Sequence, residues 1–235
     1  MHEVFFTIVV FITHVIQAIT GFAGTALAMP FSIRLVGLDI ARPVLNVVAV
    51  TISLMIVIYD RKKIQAIIAI KILLLGALGM AIGWVIEQFL ELHFLMGFYG
   101  VLVIVISGYY LIKNKTPNIP SYFGFIVIVL AGIIHKWFLT GGPVLVIYAT
   151  AKIKDKQAFR GTLSLVWLFL NIVVLLLDVS DGLYTQTVIE LSAVMLIIVP
   201  FSFLVGSLVF KRIKEENFMR IAYALLLLSG FAMLV

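Results

Sequence analysis

Two short runs carry the residue types from which an anion site can be built. Thr20-Gly21-Phe22-Ala23-Gly24-Thr25 and Thr140-Gly141-Gly142-Pro143 each interrupt an apolar stretch. Glycine lets the backbone turn and a ligand approach closely. Pro143 suits a first helical turn, where its missing N–H costs nothing. Each run is therefore expected to open a new half-helix whose free N–H groups and positive dipole end attract an anion. In a low dielectric those N–H groups must be met by water, side chains or a ligand. Gly21, Phe22, Gly24, Thr25, Thr140, Gly141, Gly142 and Pro143 are accordingly candidate substrate contacts. Close helix packing is the rival use of such glycines; the threonines beside them and the doubled occurrence favour a lined cavity.

Two polar stripes accompany the breaks. Arg42, Asn46, Ser53 and Asp60 are spaced by four, seven and seven, and so are Arg160, Ser164, Asn171 and Asp178. That spacing keeps each set on one helical face. Asn46, Arg160, Ser164 and Asn171 join the candidate contacts. The arginines, near helix ends, are placed to pair with an anion at a vestibule or to snorkel. The Asn and Ser residues serve equally as interhelical glue, worth about 0.6 kcal/mol each. Asp60 and Asp178 read as markers of membrane exits. His135-Lys136 lies about a turn before the second break. Lys136 can add positive charge to an anion site, and His135 is the candidate for proton coupling, since intramembrane ionisable groups are functional by default. Lys71 and His14 also sit in apolar surroundings, Lys71 within snorkelling reach of an end.

Enzyme chemistry finds little support. The chain has no cysteine, no H-E-x-x-H, no G-x-S-x-G and no aspartate cluster. No catalytic residue, metal site or cofactor is expected, and the protein is read as a non-enzyme.

These residues need elements to hold them, and composition says which. Of 235 residues, 63% are hydrophobic and 12% charged, and the mean hydropathy is +1.22. Soluble domains carry about 25% charge, so a soluble enzyme, a disordered chain and a secreted scaffold are excluded. The net charge of +6 reflects Lys and Arg gathering on one membrane side, not nucleic-acid binding. The start, Met-His-Glu-Val-Phe-Phe, lacks the cationic region of a signal peptide and is read as mature protein. Charged and Gly/Pro clusters delimit ten hydrophobic segments, about 3–20, 22–36, 40–59, 64–86, 94–112, 121–138, 142–151, 157–177, 187–210 and 217–235. The second and seventh are short for a membrane core that takes about 20 helical residues to cross. The expected fold is all-α: a polytopic helical membrane protein of about 8–10 segments in two inverted repeats, with short helices that are broken or re-entrant.

A shift of 118 residues lays Phe5 on Phe123, Gly24 on Gly142, Arg42 on Arg160 and Asp60 on Asp178. It also puts Gln17 on His135, Asn46 on Ser164 and Ser53 on Asn171. Residues 1–115 and 116–235 are thus expected to be two repeats of five elements within one membrane domain, and the odd number inverts the second. Alternating sides then gathers Arg61, Lys62, Lys63, Lys113, Lys115, Lys152, Lys154, Lys156, Arg160, Lys211, Arg212, Lys214 and Arg220 on one face. The other face keeps Arg34 and Arg42 and most of the acids. By the positive-inside rule both termini are expected outside the cytoplasm, in a multi-pass protein of the cell membrane.

Thr20-Gly-Phe-Ala-Gly through Pro30, with Ala41-Arg42-Pro43, resembles the first-half motif of the sulfite exporter TauE/SafE family, also called the 4-toluene sulfonate uptake permeases. Thr140 through Tyr148, then Asp155-Lys-Gln-Ala-Phe-Arg160-Gly-Thr-Leu-Ser164 and Asn171, is similar to its more specific second-half motif. The resemblance spans essentially the whole chain. His135-Lys136-Trp137-Phe138 stands where many members are glycine-rich, and Ala23 and Thr25 make the first break poorer in glycine than many. The resemblance implies sulfite, sulfonates, thiosulfate-like or related organic anions as cargo, whereas the spacing implies only an anion. The expected function is secondary transport by alternating access at a midplane site between the breaks. A passive anion channel of the same architecture is the alternative, an intramembrane enzyme a more distant one, and an accessory subunit a third. Coupling to protons or sodium is compatible with the sequence and not required by it. The lipid bilayer and a small anion are the expected partners, nucleic acid is not, and the oligomeric state, the anion and the direction of transport are left open.

Overall fold

A computed structural model describes residues 2–86, 89, 92–113, 120–139 and 141–234. Its elements are α1 (His2–Thr20), α2 (Ala23–Val36), α3 (Leu38–Asp60), a 3₁₀ turn (Arg61–Lys63), α4 (Ala66–Ile86), α5 (Leu92–Lys113), α6 (Ser121–Phe138), α7 (Gly142–Lys152), α8 (Lys156–Ser180), α9 (Gln186–Arg212) and α10 (Glu215–Leu234). No strand occurs among the described residues. Among the described residues, five helices (α1, α3 with its 3₁₀ turn, α4, α8 and α9) are long and apolar enough to cross a membrane.

Local chemistry sets several ends. The Asp155 carboxylate accepts from the Ala158 amide at 2.7 Å and opens α8 as an N-cap. Thr185 caps α9 more loosely, at 3.5 Å from the Val188 amide. Gly37, at φ +81°, makes the one-residue turn between α2 and α3, a conformation glycine adopts without steric cost.

α3 and α8 pack side by side as an antiparallel pair, because Arg42 near the start of α3 meets Asp178 near the end of α8, and Asp60 meets Arg160 at the other end. α9 packs on α3 and α1, α4 on α6 and α8, and α5 with α10 beside α2. Small residues bring helices close: a Cβ added at Gly79 would stand 3.0 Å from the Gly132 Cα, the contact style of membrane helices.

The polarity of the packing is reversed relative to water-soluble proteins. Ile67, Ile112 and Leu74 are 86%, 84% and 68% exposed, while Asn46, Ser53, Asp60, Arg160, Ser164 and Asp178 are buried at 0–1%. An apolar exterior around a polar interior suits a hydrocarbon solvent, where an unpaired polar group on the outside costs several kcal/mol. The protein is a multi-pass helical membrane protein. Its Lys-rich loops meet at one end: Lys63 lies 3.8 Å from Asp155, and Lys156 donates to the carbonyls of Phe210 and Ile213.

Candidate functional site

The two breaks are sharp reversals. α1 ends at Thr20, Gly21 takes φ +84°, and its amide donates to the Gln17 carbonyl at 2.7 Å. α6 ends at Phe138, Leu139 takes φ +56°, and its amide donates to the His135 carbonyl at 2.9 Å. Gly21 and Leu139 are 118 positions apart, as are Gln17 and His135. Leucine at positive φ is strained, because its Cβ crowds the following carbonyl. After each turn the chain folds back along the helix it has left. A Cβ at Gly24 would stand 2.7 Å from Gln17 Cβ, and one at Gly141 2.9 Å from His135 Cβ. Close packing therefore does require glycine at both of these positions, whatever else they do.

The breaks also touch one another. A Cβ at Gly142 would lie 3.3 Å from the Cβ of Phe22, so the start of α7 rests on the start of α2. Neither N-cap residue, Phe22 or Gly141, supplies a side-chain cap. Thr20, whose hydroxyl donates to the Ile16 carbonyl at 2.9 Å, receives only long contacts of 3.4 Å from the Phe22 and Ala23 amides. Thr25 is buried in the first turn of α2 and Pro143 stands in the first turn of α7. Thr140 lies outside the described residues.

The polar stripes face each other across α3 and α8. Asn46 Nδ2 donates to the Asn171 carbonyl at 3.2 Å. The Oδ1 atoms of Asn46 and Asn171 and the hydroxyls of Ser53 and Ser164 are buried with no partner among the described residues. A buried polar group without a partner costs about 1–3 kcal/mol, so this interior is suited to hold polar cargo or water.

The arginines and aspartates behave differently from their expected roles. Arg160 is neither at a vestibule nor snorkelling. It is wholly buried, its Nε 2.6 Å from Asp60 Oδ2 and its Nη1 donating to the Ala18 carbonyl at 2.9 Å, near the C-terminal end of α1. Its guanidinium lies 3.7 Å from the Phe210 ring centroid. A Cβ at Gly21 would meet the Arg160 carbonyl at 2.8 Å, so Arg160 also walls the first break. Asp60 and Asp178, which stand at the ends of α3 and α8, are more than markers of membrane exits: both are buried partners of arginine. Arg42 Nη2 approaches Asp178 Oδ1 at 3.0 Å, but neither carboxylate oxygen has an aligned hydrogen bond, and Arg42 Nε is buried without a partner among the described residues. The signal for these cross-pairings was present: identical Arg-to-Asp stripes on two antiparallel helices place each arginine opposite the other's aspartate.

His135 is buried beside Asn171, with its ring 5.0 Å from that of Trp167. Neither ring nitrogen of His135, nor Trp167 Nε1, has a geometrically formed hydrogen bond among the described residues. Trp167 was not singled out from the sequence, where tryptophan in an apolar helix carries no distinguishing mark. Lys136, 8% exposed, feels Asp178 electrostatically and lines a cleft of about 250 Å³ with Ala77, Met80, Trp84, Leu170 and Leu177. Trp84 and Leu177 are exposed, so this cleft opens on the lipid-facing seam of α4 and α8, not between the breaks. Tyr184, in the loop after α8, has a buried hydroxyl without a partner among the described residues. Burial, then the nearby Asp178 carboxylate, push its phenol up to about 12 against an opposing pull from Arg42, so it stays a proton donor. Lys71 Nζ lies 5.7 Å from the Tyr148 ring centroid, and His14 Nδ1 bonds the Val10 carbonyl at 2.8 Å. Among the described residues no group of three or more His, Cys, Asp or Glu side chains is placed to hold a metal.

A polytopic α-helical membrane protein with two helix breaks in contact and a polar interior is the class defined by these features. The profile of the sulfite exporter TauE/SafE family matches residues 6–233, and the chain belongs to that family of membrane transporters. Searches among curated proteins and among solved structures found no match.

Proposed function

We propose that this protein is a secondary transporter of small sulfur-containing or organic anions, built from two inverted repeats and binding its cargo where the two helix breaks meet. The observation that carries this reading is the contact of Phe22 with Gly142, which sets two uncapped helix N-termini together. Backbone N–H groups and two dipole ends favour negative charge there. Gly21, Gly24, Gly141 and Gly142 let backbone and cargo approach. Thr25 and Thr140 add hydroxyls, and Asn46, Ser164 and Asn171 line the path. Lys136, whose cleft lies between α4 and α8 and not between the breaks, adds positive charge only from a distance, and His135 is the group through which a proton would couple.

The repeat reading is supported by correspondences at one offset: the left-handed Gly21 and Leu139, and the pairs Arg42–Asp178 and Arg160–Asp60. Rocking of one half against the other would expose the site to each side in turn. The Lys-rich end is the cytoplasmic one in this reading, which puts both termini outside the cytoplasm in the cell membrane.

Proteoliposome flux tests it. Sulfite, thiosulfate, sulfate, a short sulfonate and acetate are each offered with and without a pH gradient. Saturable uptake selective for a sulfur oxyanion is expected. Unitary currents would indicate a channel, and absence of flux from folded protein for every anion would reject the proposed cargo.

A further inference from the structure

The two Arg–Asp pairs are related by the same offset yet differ in how fully they are bonded. Asp60 receives Arg160 Nε at 2.6 Å and Gln157 Nε2 at 2.8 Å, and both ionic side chains are 0% exposed. Arg42 and Asp178 touch at one nitrogen–oxygen approach, with 21% of the Arg42 side chain exposed. Arg42 Nε and the Tyr184 hydroxyl, both buried donors near Asp178, are left without partners among the described residues. A guanidinium offers a planar fork that suits an oxyanion with two oxygens better than the single contact found here.

We propose that Arg42 is an anion-binding residue at the end opposite the lysines, where an incoming oxyanion displaces Asp178 from it, while the Asp60–Arg160 pair keeps the Lys-rich end closed. Asp178 is then a built-in competitor. It holds Arg42 when cargo is absent and yields to an anion that takes the fork in two-point contact, with Tyr184 as a further donor. Arg160 Nη2 is also buried without a partner among the described residues, but Arg160 is bonded at Nε and Nη1, stacked on Phe210 and 0% exposed, so no oxyanion reaches it in this conformation. Rocking would exchange the two roles, tightening Arg42–Asp178 and loosening Arg160–Asp60. This inference rests on the anion-transport reading for its cargo, whereas the difference between the two ends does not.

The test has one arm that needs no cargo and one that does. The chain lacks cysteine, so a single Ser164→Cys, one turn inward of Arg160, reports access with membrane-impermeant thiol reagents. Labelling from the end opposite the lysines should exceed labelling from the Lys-rich end. Asp178→Asn should raise it about tenfold, with access from the Lys-rich end unchanged. Equal labelling from both ends, or no response to Asp178→Asn, overturns the inference even if flux is robust.

In the second arm, radiolabelled thiosulfate and sulfite are bound to purified protein. Asp178→Asn should bind several-fold more tightly than the unaltered chain. Arg42→Gln should lose binding, and Arg42→Lys, which keeps charge without the fork, should recover only part of it. Weaker binding in Asp178→Asn means that the pair is structural and overturns the exchange. Asymmetric labelling with no binding of either anion to any variant overturns the exchange and the proposed sulfur-oxyanion cargo together.

Discussion

At one end of the α3–α8 pair, Arg160 is bonded to Asp60 and the Ala18 carbonyl, stacked on Phe210 and closed off from solvent. At the other, Arg42 meets Asp178 at a single 3.0 Å approach and keeps a fifth of its side chain exposed. The same two residue types, in the same stripe, thus make one tight and one loose closure. The lesson is that residue type does not settle the strength of a buried ion pair. Desolvation is costly at both ends, and the additional hydrogen bonds at the Asp60–Arg160 end offset more of it, with Arg160 Nη2 alone of that guanidinium left without a partner among the described residues.

The largest effect is expected from breaking the tight pair. Asp60→Ala leaves Arg160 charged and unpaired in a dry site, which should cost about 3–5 kcal/mol, seen as a collapse of the thermal midpoint in detergent. A midpoint within a few degrees of the unaltered chain would show that Arg160 finds other partners. Next comes the left-handed turn that Arg160 walls. Gly21→Ala must hold positive φ and place a Cβ 2.8 Å from the Arg160 carbonyl, for a loss of about 2–4 kcal/mol. The loose pair should be more forgiving: Asp178→Ala is expected to cost about 1 kcal/mol, because Arg42 reaches water. Parity with Asp60→Ala in the same melting assay would erase the distinction between the ends. The smallest net change is expected at Leu139, where two effects oppose. Leu139→Gly removes strain at φ +56° worth about 1–2 kcal/mol but empties a buried core position worth about 2–5 kcal/mol. A modest net loss is therefore expected, and a midpoint above that of the unaltered chain would show that strain outweighs packing there.

Much of the fold was legible because apolar runs in this chain stop at charged or glycine-rich clusters. The expected segments 22–36, 40–59 and 187–210 became Ala23–Val36, Leu38–Asp60 and Gln186–Arg212. The position of the first break was readable from Gly21, since glycine tolerates the required turn. The left-handed residue at the second break was not, because leucine disfavours positive φ and only the surrounding packing holds it there. The sequence reading took Arg160 as a candidate anion contact at a vestibule or a snorkelling residue and Asp60 as a membrane-exit residue, and did not pair them. Which charges meet is set by helix register, and neither charge alone carries that information. Two repeated stripes on oppositely directed helices did contain it. Trp167 and Tyr184 drew no attention because aromatic residues are ordinary in membrane helices and at their ends.

The most direct test of the account is whether anion binding stabilises the protein through this polar interior. Thermal midpoints of the purified chain and of Ser164→Ala are measured against rising sulfite, thiosulfate, sulfate and acetate. Ser164 Oγ is buried with no partner among the described residues, so the substitution alone should raise the anion-free midpoint, by up to about 1–3 kcal/mol, and each chain is compared with its own anion-free midpoint. The unaltered chain should gain about 2.7 kcal/mol at a hundredfold excess of a sulfur oxyanion over its Kd, acetate should give much less, and Ser164→Ala should need more anion for the same gain. A midpoint that does not respond to any of these anions, or a response unchanged in Ser164→Ala, would contradict the account.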